Sequence, residues 1–270
     1  MIEIDGLTKS YGRRIVVDGV SLTIPRGGLT GIIGPNGAGK STLLGLASRL
    51  LAADRGTVTV DGLDVARASG ELLARRLSVL KQENRVAARL TVRDLVAFGR
   101  YPHSRGRLSS SEWAHVEKAL DFLDLQPISG SFLDELSGGQ RQRAYVAMVL
   151  SQDTDYMLFD EPLSSLDIRH AVSMMHLLRN ASRSFGKAVV VVLHDINIAA
   201  NFADRIIGMK DGRVAFHGDT ADVMTGAFLS SIYDIPIRVH RLEGQYVTTY
   251  ALPGGPEGGA GEDPVLVAGD

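Results

Sequence analysis

The sequence predicts an α/β domain built on a mostly parallel sheet, with an inserted α-helical lobe and a small antiparallel β region. Three observations predict it. The runs "GLTGIIG" (28–34), "YMLFDE" (156–161) and "KAVVVVLHD" (187–195) are short, apolar and rich in β-branched residues. Strands buried on both faces of a parallel sheet read this way. From about residue 86 to 150 the pattern becomes mostly helical instead. "TVTV" (57–60) alternates with period two, the mark of a half-buried strand.

Taken in order, the elements divide the chain into a core over about 1–85 and 155–220, a helical lobe over about 86–150, and a C-terminal β extension over about 221–252. Within the lobe, Thr91-x-x-Asp94 and Ser109-x-x-Glu112 each match a capping box. Trp113, Val116, Leu120 and Leu123 then fall on one helical face. Asp167 opens a helix that ends at the C-cap Gly186. Asp211-Gly212, between two apolar runs, predicts a hairpin, and Glu243-Gly244 a second strand pair. The tail 253–270 is rich in Gly and Pro and reads as disordered.

Bulk properties narrow the function. At 270 residues, 44% apolar and 22% charged, the chain is an ordinary globular size and composition. A net charge of −2 gives no field to attract nucleic acid. The chain has no cysteine, which excludes disulfides and thiolate metal sites. "MIEIDGLTKS" has no signal-peptide core, and "AVVVVL" (188–193) is far too short to span a bilayer. A role at a membrane must therefore pass through a partner.

The strongest motif is "GPNGAGKST", residues Gly34, Pro35, Asn36, Gly37, Ala38, Gly39, Lys40, Ser41 and Thr42. It follows a strand and opens a helical run, as a P-loop (Walker A) must. Glycines let backbone N–H groups curl around a phosphate, and the helix N-terminus adds positive potential. Lys40 would bridge the β- and γ-phosphates of ATP, and Ser41 would ligate Mg²⁺. "YMLFDEP" ends a second strand in two carboxylates: Asp160 to hold Mg²⁺ through water, Glu161 as the general base that orients the attacking water.

Gln82 and His194 also sit at strand ends. Gln82 would reach Mg²⁺ and the water, and His194 the γ-phosphate; taken alone, they read as a surface residue and a structural histidine. Tyr11 in "KSYGRR" either stacks on adenine or packs at a turn. In "LSGGQ", Ser137, Gly138, Gly139 and Gln140 at a helix start form either a second anion seat or a plain serine N-cap.

Together, the Walker A motif, Gln82, "LSGGQ", "YMLFDEP", "SSLD" (164–167) and His194 resemble, in order and spacing, the ATP-binding cassette ATPases. The resemblance covers about residues 2–250. It implies a P-loop NTPase (RecA-like) core and a homodimer that sandwiches two ATP molecules head to tail. Each ATP then lies between the P-loop of one subunit and Ser137, Gly138, Gly139 and Gln140 of the other, with Asp167 at the same interface. It also implies that the helical lobe docks on integral membrane permease subunits at the cytoplasmic face of the membrane. Gln82 would pass closure to that lobe. Departures are mild: Ser165 stands where alanine is usual, Leu163 where threonine is common, and Tyr156 is a polar start to an apolar strand.

"FGRYPH" (98–103), "LSGGQRQRAYVAMVLSQ", "VVVVLHDINIAANFADRI" and "IYDIPIRVHRLEGQYVTTY" look like the ATPase subunits of ferric-siderophore importers, the last especially like catecholate-siderophore members. The cargo then meets the permease and an extracytoplasmic binding protein, not this chain. Haem and cobalamin importers are close rivals. A soluble cassette acting on nucleic acid or ribosomes is the reading from another class; a single cassette with no long heptads and no basic surplus speaks against it.

Overall fold

The computed structural model describes residues 1–250, apart from 83, 85–87 and 165. The expected tail, the first residues of the lobe and the substitution at Ser165 lie outside the described residues. The chain opens with strands β1 (Ile2–Tyr11) and β2 (Arg14–Ile24), then β3 (Leu29–Ile33), helix α1 (Lys40–Ala47), β4 (Arg55–Val60), β5 (Leu63–Asp64), α2 (Gly70–Ala74) and β6 (Leu77–Leu80). Four helices follow: α3 (Val92–Phe98), α4 (Tyr101–Ser104), α5 (Ser110–Phe122) and α6 (Gly138–Ser151). Next come β7 (Tyr156–Asp160), α7 (Ile168–Phe185), β8 (Ala188–Val192), α8 (Ile196–Phe202), β9 (Arg205–Lys210) and β10 (Arg213–Asp219). Last are α9 (Thr220–Val223), α10 (Gly226–Tyr233), β11 (Ile237–Leu242) and β12 (Gln245–Tyr250).

One sheet is antiparallel, in the order β2-β1-β4-β5. A second has the order β10-β9-β3-β8-β7-β6; β9, β3, β8, β7 and β6 run parallel and only β10 is reversed, and β11 and β12 pair as a third, two-stranded antiparallel sheet. The unbroken apolar runs have a direct cause. Successive side chains on a strand point to opposite faces, and both faces of this sheet are covered. Val189 and Val191 of β8 join the core made with α6, α7 and the lobe. Val190 and Val192 join a second core made with α1 and the antiparallel sheet. Tyr156, the polar start of β7, is buried with its hydroxyl donating to Asp61 Oδ1 at 2.7 Å, which answers why an apolar strand tolerates it.

In the lobe, the Thr91–Asp94 capping box is complete. The Ser109–Glu112 box is only half made. Ser109 Oγ accepts the Glu112 N–H, but the Glu112 carboxylate goes to the guanidinium of Arg100, 2.9 Å away and buried. Val116, Leu120 and Leu123 are buried as expected, whereas Trp113 is 38% exposed. Periodicity fixes which face of α5 turns inward, not how far along the helix its neighbours reach. "FGRYPH" is a packing knot. A Cβ on Gly99 would lie 2.1 Å from the Met148 carbonyl, Arg100 donates to the Ser151 carbonyl at 2.7 Å, and a His103 ring nitrogen lies 3.0 Å from the Gln152 carbonyl.

Both hairpins form at the expected turns. Asp211-Gly212 and Glu243-Gly244 have positive φ at both residues, the geometry that suits Asp-Gly and Glu-Gly to two-residue connections. Asp167 caps α7 by accepting the His170 N–H, and Gly186 closes it at φ 63°.

Candidate active site

The strand ends converge at the carboxyl edge of the parallel sheet, where such sheets bind ligands. β3 ends at Ile33 and the chain turns through Gly34–Gly39 into α1. Gly34 and Gly39 are irreplaceable there. A Cβ would lie 2.2 Å from the Met209 carbonyl oxygen at Gly34, and 2.5 Å from the Val16 carbonyl oxygen at Gly39, with φ 145° and 98°. No side chain caps α1, so its first N–H groups are left to an anion. Lys40 is 4% exposed, and its ammonium donates to the Gly34 and Pro35 carbonyls at 2.8 and 3.0 Å. An ammonium carries three donors, and these carbonyls take two. Burial pulls its pKa below the ordinary lysine value, while Glu161 and Asp160 act the other way.

Ser41, at the start of α1, donates its hydroxyl to Asp160 Oδ1 at 2.8 Å. The two oxygens expected to face a cation are thus side by side. Burial holds the Asp160 carboxyl above its usual range; the Ser41 hydrogen bond opposes this and the Glu161 charge adds to it. Glu161 follows β7 with φ 49°, a left-handed conformation uncommon for a residue with a Cβ. Its carboxylate is held from two sides: Gln82 Nε2 donates to Oε2 at 2.8 Å, and His194 Nε2 lies 2.7 Å from Oε1. Gln82, Glu161 and His194 come from the ends of β6, β7 and β8, strands adjacent in the sheet but far apart in the chain.

Residues 17–164 match the family model described as "ABC transporter". The chain belongs to the ABC transporter ATPase family. Two relatives extend this over nearly the whole cassette. It is 43% identical to the petrobactin import ATP-binding protein YclP of Bacillus subtilis, over 93% of this chain and 99% of that protein. It is 47% identical to the petrobactin import ATP-binding protein FatE of Bacillus anthracis, over 91% and 98%. Among solved structures it resembles the dimeric bacterial ABC transporter cassette MJ0796, with TM-score 0.73, 30% identity, and 82% and 99% coverage. A post-hydrolysis structure of that cassette, bound to ADP and Pi, matches with TM-score 0.72 and 29% identity. The chain is thus an ATP-binding, ATP-hydrolysing cassette with a P-loop NTPase core.

The remaining expected residues fall in two places. Ser137 caps α6 in a complete box with Gln140: Ser137 Oγ accepts the Gln140 N–H, and Gln140 Oε1 accepts the Ser137 N–H. The serine-cap reading is therefore real, and it leaves Ser137 and Gly138 exposed. Gly139 lies under the His170 ring, where a Cβ would come within 3.1 Å, and His170 Nδ1 is 2.8 Å from Asp167. The LSGGQ turn and Asp167 are thus neighbours on the surface. At the P-loop, Asn36 and Gly37 are exposed, Pro35 and Thr42 half-buried and Ala38 buried. Tyr11 is 51% exposed and pairs with Arg14 across the β1–β2 turn. Sequence reasoning missed Arg14, whose guanidinium hangs over Gly37, 3.7 Å from where its Cβ would be. It also missed Tyr233, whose hydroxyl accepts the Gly34 N–H at 3.2 Å. "KSYGRR" carries a signal for Arg14 in its second basic residue; no local pattern marks Tyr233.

Proposed function

We propose that this cassette energises the import of a ferric siderophore as the peripheral ATPase of a transporter whose membrane spans lie in separate permease subunits. The observation that carries the cargo reading is the full-length likeness to two petrobactin import proteins. No helix among the described residues is long and apolar enough to cross a membrane. In this reading permease subunits hold the chain at the cytoplasmic face, and an extracytoplasmic binding protein delivers the cargo to them. Nucleic acid has no part in this.

The residues of the site fit ATP with a divalent cation. Gly34 and Gly39 have no room for a Cβ, α1 has no side-chain cap, and Ser41 and Asp160 offer the hard oxygen donors that Mg²⁺ prefers. When bound, Mg²⁺ neutralises charge on the β- and γ-phosphate oxygens. Ser41, Asp160 and the Gln82 amide oxygen would hold it. Loop N–H groups and Lys40 bind the phosphates, and Tyr11 stacks on the adenine. Glu161, steadied by Gln82 and His194, accepts the proton of the attacking water; His194 then turns toward the γ-phosphate. Ser137, Gly138, Gly139 and Gln140 of a second copy cover that phosphate, with Asp167 at the same interface.

The test is uptake in the source cell. Deleting the gene should abolish uptake of ⁵⁵Fe-petrobactin, restored by the wild-type gene and not by Glu161→Gln. Intact siderophore uptake with lost haem or cobalamin uptake would overturn the cargo reading.

A further inference from the structure

The segment Gly226–Tyr250, which follows the two larger sheets and carries the β11–β12 pair, reaches both walls of the site. One contact is behind the P-loop. Lys210, at the end of β9, donates to the Ser231 carbonyl at 2.8 Å and to the Asp234 carboxylate at 2.5 Å, fastening α10 beside Met209. Met209 is the residue whose carbonyl abuts Gly34. Tyr233, the last residue of α10, then sets its hydroxyl against Gly34. Gly34 is gripped at both of its backbone groups: its N–H by Tyr233 and its carbonyl by Lys40, 2.8 Å away.

The other contact is on α8, which begins two residues after His194. Asn197 and Asn201 lie one turn apart on that helix. Asn197 Oδ1 accepts the N–H and hydroxyl of Thr248 at 2.8 and 3.0 Å. The Asn201 carboxamide accepts the Tyr246 N–H and donates to the Tyr246 carbonyl, both at 2.9 Å. These two side chains reproduce, along one edge of β12, the amide pairing of a neighbouring strand.

We propose that Tyr233 is a positioning residue for nucleotide binding: its hydroxyl orients Gly34, and through Gly34 the Lys40 ammonium, while β12 on α8 holds the His194 wall in register with it. This rests on the ATPase reading above. Burial pushes the Tyr233 hydroxyl up to about 12, despite the Gly34 hydrogen bond. It therefore stays neutral at physiological pH and brings no negative charge toward a polyphosphate.

The experiment uses the full-length chain and compares Tyr233→Phe with Tyr156→Phe. The second variant makes the same chemical change at a buried tyrosine away from the phosphate loop. ATP affinity is read by titration calorimetry, and KM and kcat by phosphate release. Losing one hydrogen bond to the loop should raise the Kd and KM of Tyr233→Phe about fivefold, with kcat within about twofold of wild type. Lys210→Met, which frees α10 without touching the site, should shift both in the same direction by less. Tyr156→Phe should lower Tm and leave KM unchanged. The proposal fails if Tyr233→Phe binds ATP as wild type does, or if Tyr156→Phe moves KM equally. A wild-type chain that binds no ATP would overturn the ATPase reading as well.

Discussion

In the proposed mechanism Glu161 is the base that sets turnover: both of its carboxylate oxygens are held, one by Gln82 and one by His194, in a backbone conformation that a residue with a side chain rarely adopts. A base fixed in this way costs no reorganisation when it takes a proton. Glu161→Gln keeps the size and one of the two holds, since an amide has a single accepting oxygen, and removes the basicity. We expect kcat to fall on the order of 10²–10⁴-fold with ATP binding retained, measured on one preparation by phosphate release and nucleotide titration. Wild-type turnover would show that the base lies elsewhere. A second residue-scale prediction concerns stability. Burial pushes the Asp61 carboxyl up, but hydrogen bonds from the Met1 amino group, Tyr156 and Arg26 hold it down at about 2. A carboxyl so depressed adds stability above its unfolded value, about 3.8, and loses that contribution as pH falls through about 2. Tyr156→Phe removes one donor. It should cost about 1–2 kcal/mol at neutral pH and move acid unfolding to higher pH, seen by circular dichroism. An unchanged acid midpoint would remove Tyr156 from the network.

At the scale of elements, the tightest crossing lies within the lobe. At Gly99, between α3 and α4, the backbone approaches α6 closely enough that a methyl group would sit 2.1 Å from the Met148 carbonyl and 2.2 Å from Ser151 Oγ. Backbone on backbone cannot yield as a side-chain tip does. Gly99→Ala should therefore destabilise by about 3 kcal/mol or unfold the lobe, read by denaturant titration. A loss under about 0.5 kcal/mol, the level of an ordinary surface change, would mean the crossing is looser than it stands here. Gly99 also shows what sequence does and does not disclose. The parallel strands, the complete cap at Thr91, the Asp167-to-Gly186 helix and the two Xaa-Gly turns were legible because their causes are local: apolar runs, caps, positive φ. The glycine turn between β3 and α1 and the carboxylate pair ending β7 could be placed from sequence because their motifs have fixed spacing. Trp113 is less buried than the face it shares with Val116, and Glu112 was taken for a return cap, because the packing limit of α5 and the buried Arg100 are decided by other helices. Strands β1 and β2 went unread, and Tyr233 reaches Gly34 across 199 positions. No local pattern encodes contacts of that range.

For the whole molecule, the two proposed anion seats are built differently. The P-loop seat is sunk into the sheet, with Lys40 buried, Gly39 pressed against β2 and Gly34 against β9. The LSGGQ seat is a capped helix start whose first residues, Ser137 and Gly138, are exposed. A sunk cradle binds a phosphate by itself. An exposed helix start with its cap already satisfied gains from a phosphate only when another surface brings one to it, and in the proposed dimer that surface is the second copy's P-loop. The seats should therefore separate under mutation. In a Glu161→Gln background, ATP should drive chains that keep Ser137 into a dimer visible by light scattering. Adding Ser137→Arg should abolish that dimer, since a long cation occupies the space the partner's phosphate needs. It should leave ATP affinity of the single chain intact, and loss of the serine cap should lower stability by only about 1 kcal/mol. An ATP-dependent dimer that persists with Arg at position 137 would mean that the exposed seat meets no partner, and that Ser137 is no more than the cap of α6.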